Sequence, residues 1–359
     1  MNINTGARII VQEWLHAKKE DVVHLITDET KTRELEAFKK ACEIQGVNLK
    51  TTIIPSDCVQ SAEVIDKMKE IMSYADVIIG ATNYSFITTN AVKYALKKGT
   101  KFLSLPLSTN DGSSLLEQEF IRMSPIKAKF MSIPLIRCLN KTKKVHITTK
   151  KGTDITFDIT QRKPGLFNGS SARPGDCASA SFEVYVAPNE TMTHGRVILD
   201  GSMGYIGLVD EDVEVIFKDG YITSIQDNPS GRRLKEFMKS FDDKEIYCAG
   251  ELGIGLNTIS RCQGKSYIED ESTYSTFHIG LGRNKALGGS HDAKGHFDIV
   301  THSPTITTDV GNIMVDGNIV GLRGKILYIQ WKYFHKNLKI ASFCEFINFF
   351  MFSILMPLV

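Results

Sequence analysis

The sequence predicts an α/β protein built from two domains: an N-terminal α/β domain with a parallel sheet, and a C-terminal α+β domain rich in strands. The chain has 359 residues, which is enough for two hydrophobic cores. Strand-like and helical segments alternate in the first part, whereas short strands separated by turn residues dominate the second. The predicted divisions are residues 1–140, residues 141–324 and an atypical apolar tail at residues 325–359.

The N-terminal domain is predicted from a regular alternation of apolar strands and amphipathic helices. Predicted strands lie at residues 22–27, 49–54, 76–80 and 101–105, and predicted helices lie at residues 30–46, 61–74 and 90–98. Such strands pair in parallel, because each helix carries the chain back across one face of the sheet. The acidic turn at residues 27–30 would repel a phosphate, and no GxGxxG follows the first strand. A structural or substrate-shaping role is therefore predicted for this domain.

The segment between the two domains, residues 107–138, is predicted to be irregular. A helix is predicted at residues 115–123. Pro125 and Pro134 are expected to interrupt whatever follows, because proline lacks an N–H donor and clashes with the preceding turn of a helix.

The C-terminal domain is predicted to consist mainly of antiparallel strands joined by short turns. Predicted strands lie at residues 144–150, 153–159, 196–199, 213–217 and 221–225, with a helix at residues 231–241. Lys151-Gly152 would turn the first pair of strands, and Asp219-Gly220 would turn the last pair.

The stretch from Ala249 to Pro304 concentrates side chains that bind metal ions. It contains the histidines His278, His291 and His296, and the acidic residues Glu251, Asp270, Glu271 and Asp298. Its frequent glycines predict short strands joined by tight turns, with side chains that converge on one point. Imidazole and carboxylate groups are the donors found in zinc, manganese, iron and cobalt sites.

His296 and Asp298 form the sharpest local pattern in this stretch. Residues i and i+2 of a strand project to the same face, so these two side chains should point together while Phe297 and Ile299 face a core. His278 lies in a second predicted strand, at residues 276–280. The pattern favours a metal-binding domain, and the alternative is a set of ordinary polar residues on a half-exposed sheet.

Four segments resemble the aminopeptidase T/S family of metallopeptidases, which are leucyl aminopeptidase-like enzymes with two metal ions. They are GELGIGLN at residues 250–257, EDE at 269–271, FHIGLG at 277–282 and HFD at 296–298. The resemblance extends from about Lys144 to Gly321. The same broad group includes 2,5-dihydroxypyridine 5,6-dioxygenases, which use a single iron. In this family an N-terminal α/β domain accompanies the metal-binding domain, as predicted above.

A fifth segment, SFEVYVAP at residues 181–188, is similar to the family's GEVYxAP, with Phe182 in place of the glycine. Without the resemblance, Glu183 would be interpreted as a residue on a solvated strand face, because burying an unpaired charge is costly. The metal ligands that the resemblance implies are Glu183, Glu251, His278, His296 and Asp298. They imply two divalent ions (zinc, cobalt or manganese), or a single iron if the dioxygenase alternative holds.

The expected catalytic residues are Glu251, Lys285 and His291. The family places a tyrosine where this chain has Lys285, which would stabilise an oxyanion or indicate a different substrate or a single-metal site. His291 lies in a glycine-rich loop and is interpreted either as a proton shuttle or as a surface residue. Glu271 would orient a ligand or be exposed.

The predicted function is that of a metal-dependent aminopeptidase, which removes N-terminal residues from peptides through a dinuclear site. The first alternative is a mononuclear iron dioxygenase that cleaves a dihydroxypyridine ring, and the second is a non-catalytic binding protein that keeps the fold. Expected partners are a peptide substrate and a second copy of the chain in a homodimer. With 43 basic and 41 acidic residues and a net charge of +2, nucleic acid is not expected.

Both ends of the chain bear on its location. No uninterrupted apolar core precedes Glu13, so no signal peptide is predicted. The seven cysteines show no CxxC spacing and indicate no disulfide framework, so a cytoplasmic protein is expected. Residues 340–359 carry one charge, Glu345, and are long enough to span a bilayer. A membrane anchor is the less favoured interpretation, and a buried helix, an oligomer contact or a non-native tail are the others.

Overall fold

Three β-sheets organise the part of the chain that the computed structural model describes, which is residues 1–56 and 62–320. The strands are β1 (Val22–Asp28), β2 (Asn48–Ile54), β3 (Val77–Ala81), β4 (Lys101–Ser104), β5 (Lys144–Thr148), β6 (Asp154–Asp158), β7 (Gly165–Asn168), β8 (Cys177–Ser179), β9 (Phe182–Val186), β10 (Thr193–Leu199), β11 (Val213–Lys218), β12 (Tyr221–Ile225), β13 (Ala249–Gly255), β14 (Thr276–Gly282), β15 (His296–His302), β16 (Thr305–Thr308), β17 (Gly311–Val315) and β18 (Asn318–Ile319). The α-helices are α1 (Ile3–Ile9), α2 (Thr32–Gln45), α3 (Ala62–Asp66), α4 (Lys69–Met72), α5 (Asn90–Lys97), α6 (Pro125–Leu139), α7 (Pro229–Ser240) and α8 (Tyr267–Ser272).

The first sheet is parallel, with the spatial order β2-β1-β3-β4-β8. This confirms the predicted parallel sheet with helices packed beside it. Strand β3 is buried along its whole length, as expected when both faces of a parallel sheet are covered. The edge strand β8 comes from beyond residue 140, so hydrogen bonds of this sheet cross the predicted domain division. The division at residues 1–140 and 141–324 stays a prediction.

The helix predicted at residues 61–74 is interrupted. Two short helices, α3 and α4, replace it, and the backbone at Met68 leaves the helical region. Ile65 and Met72 are nevertheless buried in one hydrophobic cluster with Ile78 of β3. The regularly spaced apolar residues are therefore buried by two separate helices, and one continuous helix is not required.

The expectation that Pro125 and Pro134 would interrupt the following chain is wrong. Pro125 is the first residue of the 15-residue helix α6, and the Ser124 side chain accepts a hydrogen bond from the Lys127 backbone N–H. Proline is tolerated at that position, because the first N–H groups of a helix have no partner within the helix. Pro134 lies inside α6. Burial of apolar residues such as Leu135 stabilises the helix despite this proline.

The other two sheets are antiparallel, as predicted for the C-terminal half. One contains eight strands in the order β12-β11-β10-β6-β5-β16-β17-β18. Its hairpin β5–β6 pairs Lys144 with Asp158, at the place where a hairpin was predicted. The other contains five strands in the order β15-β14-β13-β9-β7. This five-stranded sheet carries all five predicted metal ligands.

One hydrophobic cluster extends from the parallel sheet to the five-stranded antiparallel sheet. It includes Trp14 near the N-terminus and Phe182 of β9, whose rings meet edge to face with centroids 5.3 Å apart. The two halves of the chain are therefore packed through a shared core. No helix in residues 1–56 and 62–320 combines the length and the hydrophobicity needed to cross a membrane. The predicted apolar tail at residues 325–359 lies outside the described residues.

Candidate metal centre

Each of the five predicted ligands lies opposite a glycine on the neighbouring strand. Glu183 of β9 is paired in register with Gly255, and His278 of β14 is paired with Gly253. The remaining pairs are Glu251 with Gly280, Asp298 with Gly280, and His296 with Gly282. Side chains at paired positions share one face of a sheet, so the glycines leave open space on the face that holds the ligands.

The prediction that these glycines form tight turns is wrong for those within β13 and β14. A Cβ atom on Gly253 would lie 1.9 Å from His278 Nε2, and one on Gly280 would lie 2.6 Å from His296 Cε1. The glycines are needed because any side chain would occupy the space of the two imidazoles. The expectation that the frequent glycines accompany converging side chains is met, for this different reason.

The five side chains form two groups of possible metal donors that share Glu251. One group is Glu183, Glu251 and His278, and the other is Glu251, His296 and Asp298, each with donor atoms within 4.8 Å of one another. His278 Nε2 lies 2.7 Å from Glu183 Oε2. His296 Nε2 lies 3.1 Å from Glu251 Oε2 and 3.5 Å from Asp298 Oδ1. The side chains of four of the five are almost completely buried, and that of His296 is 31% exposed.

The hydrogen bonds around the cluster suit metal donors. Ring nitrogen Nδ1 of His296 lies 2.8 Å from the Arg283 carbonyl oxygen, which can only accept, so Nδ1 carries a hydrogen and Nε2 is the nitrogen that would bind a cation beside the carboxylates. Glu183 Oε1 accepts a hydrogen bond from the Ser181 hydroxyl. Glu183 Oε2 and Asp298 Oδ1 are buried and face the imidazoles of His278 and His296, at 2.7 and 3.5 Å. Such a set of buried acceptors fits a bound cation, which would offset their charge.

The charges of the cluster shift the pKa values of its members. Burial raises the pKa of Glu251 to about 7, and the nearby Glu183 carboxylate adds to the effect. Burial alone would lower the pKa of His278, but the carboxylates of Glu183, Asp298 and Glu251 together raise it to about 9. Burial opposes ionisation of Asp298 as well, yet the His296 charge lowers its pKa to about 2. The negative charges are therefore partly balanced by protonated imidazoles when no cation is bound.

The three consecutive acidic residues of α8 have different partners. Glu269 Oε1 accepts a hydrogen bond from the Arg261 backbone N–H, and Asp270 Oδ1 accepts one from the Gln263 N–H. Both carboxylates therefore anchor the loop before α8. Glu271 faces the cavity and hydrogen-bonds Asp298. Burial, together with the Asp298 charge, raises the pKa of Glu271 well above its ordinary value, so its carboxyl keeps a proton and donates it to Asp298.

A cavity of about 790 Å³ lies beside the donor cluster. Part of its lining is aromatic and includes Tyr205, Phe237 and Tyr267, with the Tyr205 and Tyr267 ring centroids 4.5 Å apart. Another part follows the carboxyl ends of β3 and β4 and includes Tyr84 and Ser104. The N-terminal half therefore contributes to the cavity, in accord with its expected substrate-shaping role. Ligands bind outside the carboxyl ends of parallel strands in many α/β proteins.

Sequence reasoning did not identify the aromatic lining residues or Arg283 as parts of the site. Tyr84 is the one that the sequence could have indicated, because it follows a buried parallel strand and ligand sites concentrate at the ends of such strands. Tyr205 lies in a short 3₁₀ turn, far in sequence from every ligand motif. Its backbone neighbour Met203 bridges to Ile299 of β15, which brings the turn beside the ligands.

Lys285 and His291 are not among the residues that line this cavity. The Lys285 ammonium lies 2.6 Å from Asp292 Oδ2, and nearly half of its side chain is exposed. His291 Nε2 lies 2.9 Å from the Glu245 carbonyl oxygen, and the ring packs edge-on to Tyr221. The first contact stays within the loop between β14 and β15, and the second ties that loop to Glu245 and Tyr221. The structure thus brings Glu251 to the site and leaves the other two expected catalytic residues outside its lining.

The fold and the donor cluster together define a protein of mixed α/β architecture with a candidate metal site. The family model described as 2,5-dihydroxypyridine 5,6-dioxygenase matches residues 13–321, so the chain belongs to that family. A 2,5-dihydroxypyridine 5,6-dioxygenase from Pseudomonas putida KT2440 is 23% identical over 195 residues, which cover 51% of this chain and 55% of the relative. The chain thus matches about half the length of that curated relative.

Two solved structures have a similar fold. The 2,5-dihydroxypyridine dioxygenase of Pseudomonas putida KT2440 aligns with a TM-score of 0.74 and 18% identity, over 89% of this chain and 97% of that one. Wild-type AmpT from Thermus thermophilus aligns with a TM-score of 0.60 and 14% identity, over 89% and 98%. The comparisons support the broad group that contains both proteins. Within it they favour the dioxygenase alternative over the aminopeptidase that the motifs had predicted.

Proposed function

We propose that this chain is a metal-dependent dioxygenase that opens a dihydroxylated pyridine ring. The observation that carries the proposal is the family match over residues 13–321, which includes every residue of the donor cluster. The cavity beside the cluster supports it, because aromatic side chains such as Phe237 and Tyr267 give a planar ring apolar surfaces to pack against.

The residues that would hold the iron are Glu251, His296 and Asp298. A carboxylate and imidazole set of this kind suits non-haem iron. The iron would supply the redox chemistry that joins dioxygen to the ring. The hydrogen bond from His296 Nδ1 to the Arg283 carbonyl fixes the imidazole so that Nε2 faces the cavity. Glu271 holds a proton at the carboxyl group beside Asp298, and the aromatic lining excludes water from the ring.

Metal content and oxygen uptake test this proposal. Protein purified without added metal would be analysed for bound elements, then loaded anaerobically with ferrous iron and mixed with 2,5-dihydroxypyridine in an oxygen electrode. We expect one iron for each chain and oxygen uptake that depends on the pyridine. Iron-loaded protein that binds the metal but consumes no oxygen with this compound or with a carboxylated dihydroxypyridine would overturn the proposal.

A second candidate function is hydrolysis by a dinuclear aminopeptidase, and one observation favours it. Glu251 belongs to both donor groups, as a carboxylate that bridges two cations would. The five donors also exceed what a single ion with open positions for substrate and dioxygen requires. Two ions would supply the polarisation of a peptide carbonyl.

The same preparation distinguishes the two functions. Loading with zinc, cobalt or manganese and assaying a leucine anilide would reveal an aminopeptidase. Two ions for each chain with release of the aniline, and no oxygen uptake by the iron form, would establish the second candidate. One iron with oxygen uptake and no anilide cleavage would establish the first.

A further inference from the structure

Arg283 places a guanidinium at the cavity directly after the strand that carries His278. Its side chain lines the cavity, while its carbonyl oxygen accepts the hydrogen bond from His296 Nδ1. The backbone of Arg283 therefore contacts the donor cluster, and its side chain forms another part of the cavity lining. Sequence motifs give it no role.

The hydrogen bonds of this guanidinium occupy one of its edges. Nε and Nη2 both donate to the Ala293 carbonyl oxygen, at 2.9 and 2.6 Å. On the other edge, Nη1 makes a 3.4 Å contact with the Thr88 hydroxyl among the described residues. A guanidinium has five N–H donors in a planar fork. An edge formed by Nη1 and the second hydrogen of Nη2 thus has capacity for a bidentate acceptor.

The local charge balance is positive. Asp292 is the acidic neighbour of Arg283, at 3.3 Å from Nε, but the same carboxylate also pairs with Lys285 at 2.6 Å. One carboxylate shared by two cations leaves one positive charge over. Asp292 is also 62% exposed, so solvent screens its effect on Arg283. The cavity therefore has an acidic side at the donor cluster and a basic side at Arg283.

We propose that Arg283 is a specificity-determining residue that binds a carboxylate on the substrate, so that the substrate is an aromatic ring with metal-binding oxygens and an acidic substituent. The inference rests on the proposed function and narrows its substrate class. A planar carboxylate matches the free edge of the guanidinium, and its charge complements the basic side of the cavity. An uncharged ring would offer that edge no anionic acceptor, and the 3.4 Å contact with the Thr88 hydroxyl would remain.

The test compares two ring ligands that differ by one carboxylate, catechol and 3,4-dihydroxybenzoate. Binding to the zinc-loaded full-length protein is measured by calorimetry, because zinc supports no oxygen chemistry that would consume the ligands. We expect 3,4-dihydroxybenzoate to bind wild type about 10- to 100-fold more tightly than catechol. The Arg283→Met variant should bind the two ligands equally, and Arg283→Lys should keep part of the preference.

Lys150→Met is the matched control, because it removes an exposed cation that pairs with Asp316 and does not line the cavity. It should keep the full preference for the carboxylated ligand. If the role of Arg283 were purely structural, Arg283→Met would weaken the binding of both ligands alike. The ratio of their affinities would then stay unchanged. That outcome, or equal binding of both ligands by wild type, would overturn the inference.

The proposed reaction is tested separately by oxygen uptake with 2,5-dihydroxypyridine and with a dihydroxypyridine that carries a carboxylate. Oxygen uptake with no preference for the carboxylated ligand would leave the dioxygenase proposal intact and overturn the role of Arg283. A preference that depends on Arg283, without any oxygen uptake, would support the acidic substrate class and overturn the reaction.

Discussion

Single residues at the candidate metal centre derive their chemistry from their neighbours. Asp298 stays ionised although it is buried, because the His296 charge lowers its pKa to about 2. Glu271, one hydrogen bond away, keeps its proton because burial and the Asp298 charge raise its pKa. Two carboxyl groups in contact thus take opposite protonation states, so that one has the charge that would attract a cation and the other is a hydrogen-bond donor.

Replacing Asp298 with Asn should impair metal binding much more than folding. The substitution keeps the shape of the side chain and its hydrogen bond from Glu271, but it removes the charge that would face a cation. We expect loss of bound metal and a fall in activity on the order of 100-fold or more. Metal analysis, steady-state rates and urea unfolding would be measured together.

Asp154→Asn is the matched control for this prediction, because Asp154 pairs with His146 at 2.8 Å on the exposed surface. It should keep full metal content and activity. Wild-type metal content in Asp298→Asn would show that this carboxylate is not a ligand.

Among the elements, β13 and β14 are built around the imidazole of His278. Gly253 lies opposite that residue, and any Cβ there would collide with the ring. Strand interiors normally disfavour glycine, which offers no side chain to pack. The presence of Gly253 in a fully buried strand is explained by the space that the His278 ring occupies.

A double-mutant cycle tests this fit. Gly253→Ala should displace the His278 ring, reduce metal content and lower the free energy of unfolding by about 1–3 kcal/mol, as overpacking does. In a His278→Ala background the ring is gone, so the same substitution should cost close to nothing. Unfolding in urea would be compared for the four proteins, and an equal cost in both backgrounds would contradict the steric explanation.

The loop between β14 and β15 is held by Glu190. Its carboxylate accepts hydrogen bonds from the Ser290 N–H and the Asn284 side chain and pairs with Arg162. The same loop presents Leu287 to the cavity. Burial would raise the pKa of Glu190, but these hydrogen bonds and the Arg162 charge lower it from 4.5 to about 2.

Because the folded state lowers this pKa, the carboxylate should stabilise the protein above about pH 4.5, and the contribution should disappear as the pH falls towards 2. Glu190→Gln should therefore lower the free energy of unfolding by about 1–2 kcal/mol at pH 7, with a smaller difference at pH 3. Glu214→Gln, which loses an exposed pair with Arg196, should change stability by less than about 0.5 kcal/mol at either pH. A Glu190→Gln difference that is constant with pH would refute the assignment.

At the scale of the whole molecule, the cavity is assembled from both halves of the chain. Tyr84, after β3, packs against Tyr205, whose ring lies near the donor cluster, with centroids 5.7 Å apart. The parallel sheet thus provides part of the cavity, and the five-stranded antiparallel sheet provides the candidate metal donors. Neither half contains the complete lining.

Among residues 1–56 and 62–320, every donor and every lining residue of the cavity precedes residue 299, and the family match ends at residue 321. A chain truncated after Val320 should therefore fold, bind the same number of metal ions as the full chain and retain activity. Circular dichroism, thermal unfolding and metal analysis of both proteins would check this. Failure of the shorter chain to fold would assign residues 321–359 to the core.

The local patterns of the sequence determined the type and position of most elements. Period-two alternation identified the hairpin β5–β6, and apolar strands between amphipathic helices identified the parallel sheet. These signals are local, because side-chain direction repeats every two residues in a strand and about every 3.6 residues in a helix. Resemblance of short segments supplied the five residues that the structure brings together, although they span positions 183 to 298.

Only the tertiary structure decided which side chains share the cavity and which protons they hold. Lys285 and His291 are close to the candidate ligands in sequence, but Lys285 pairs with Asp292 and His291 contacts the Glu245 carbonyl, whereas the distant Tyr205 reaches the site. Strand register and packing between the sheets set these positions, and no local pattern encodes them. The pKa values follow from the same arrangement, since burial and charge depend on neighbours brought from four different strands and a helix.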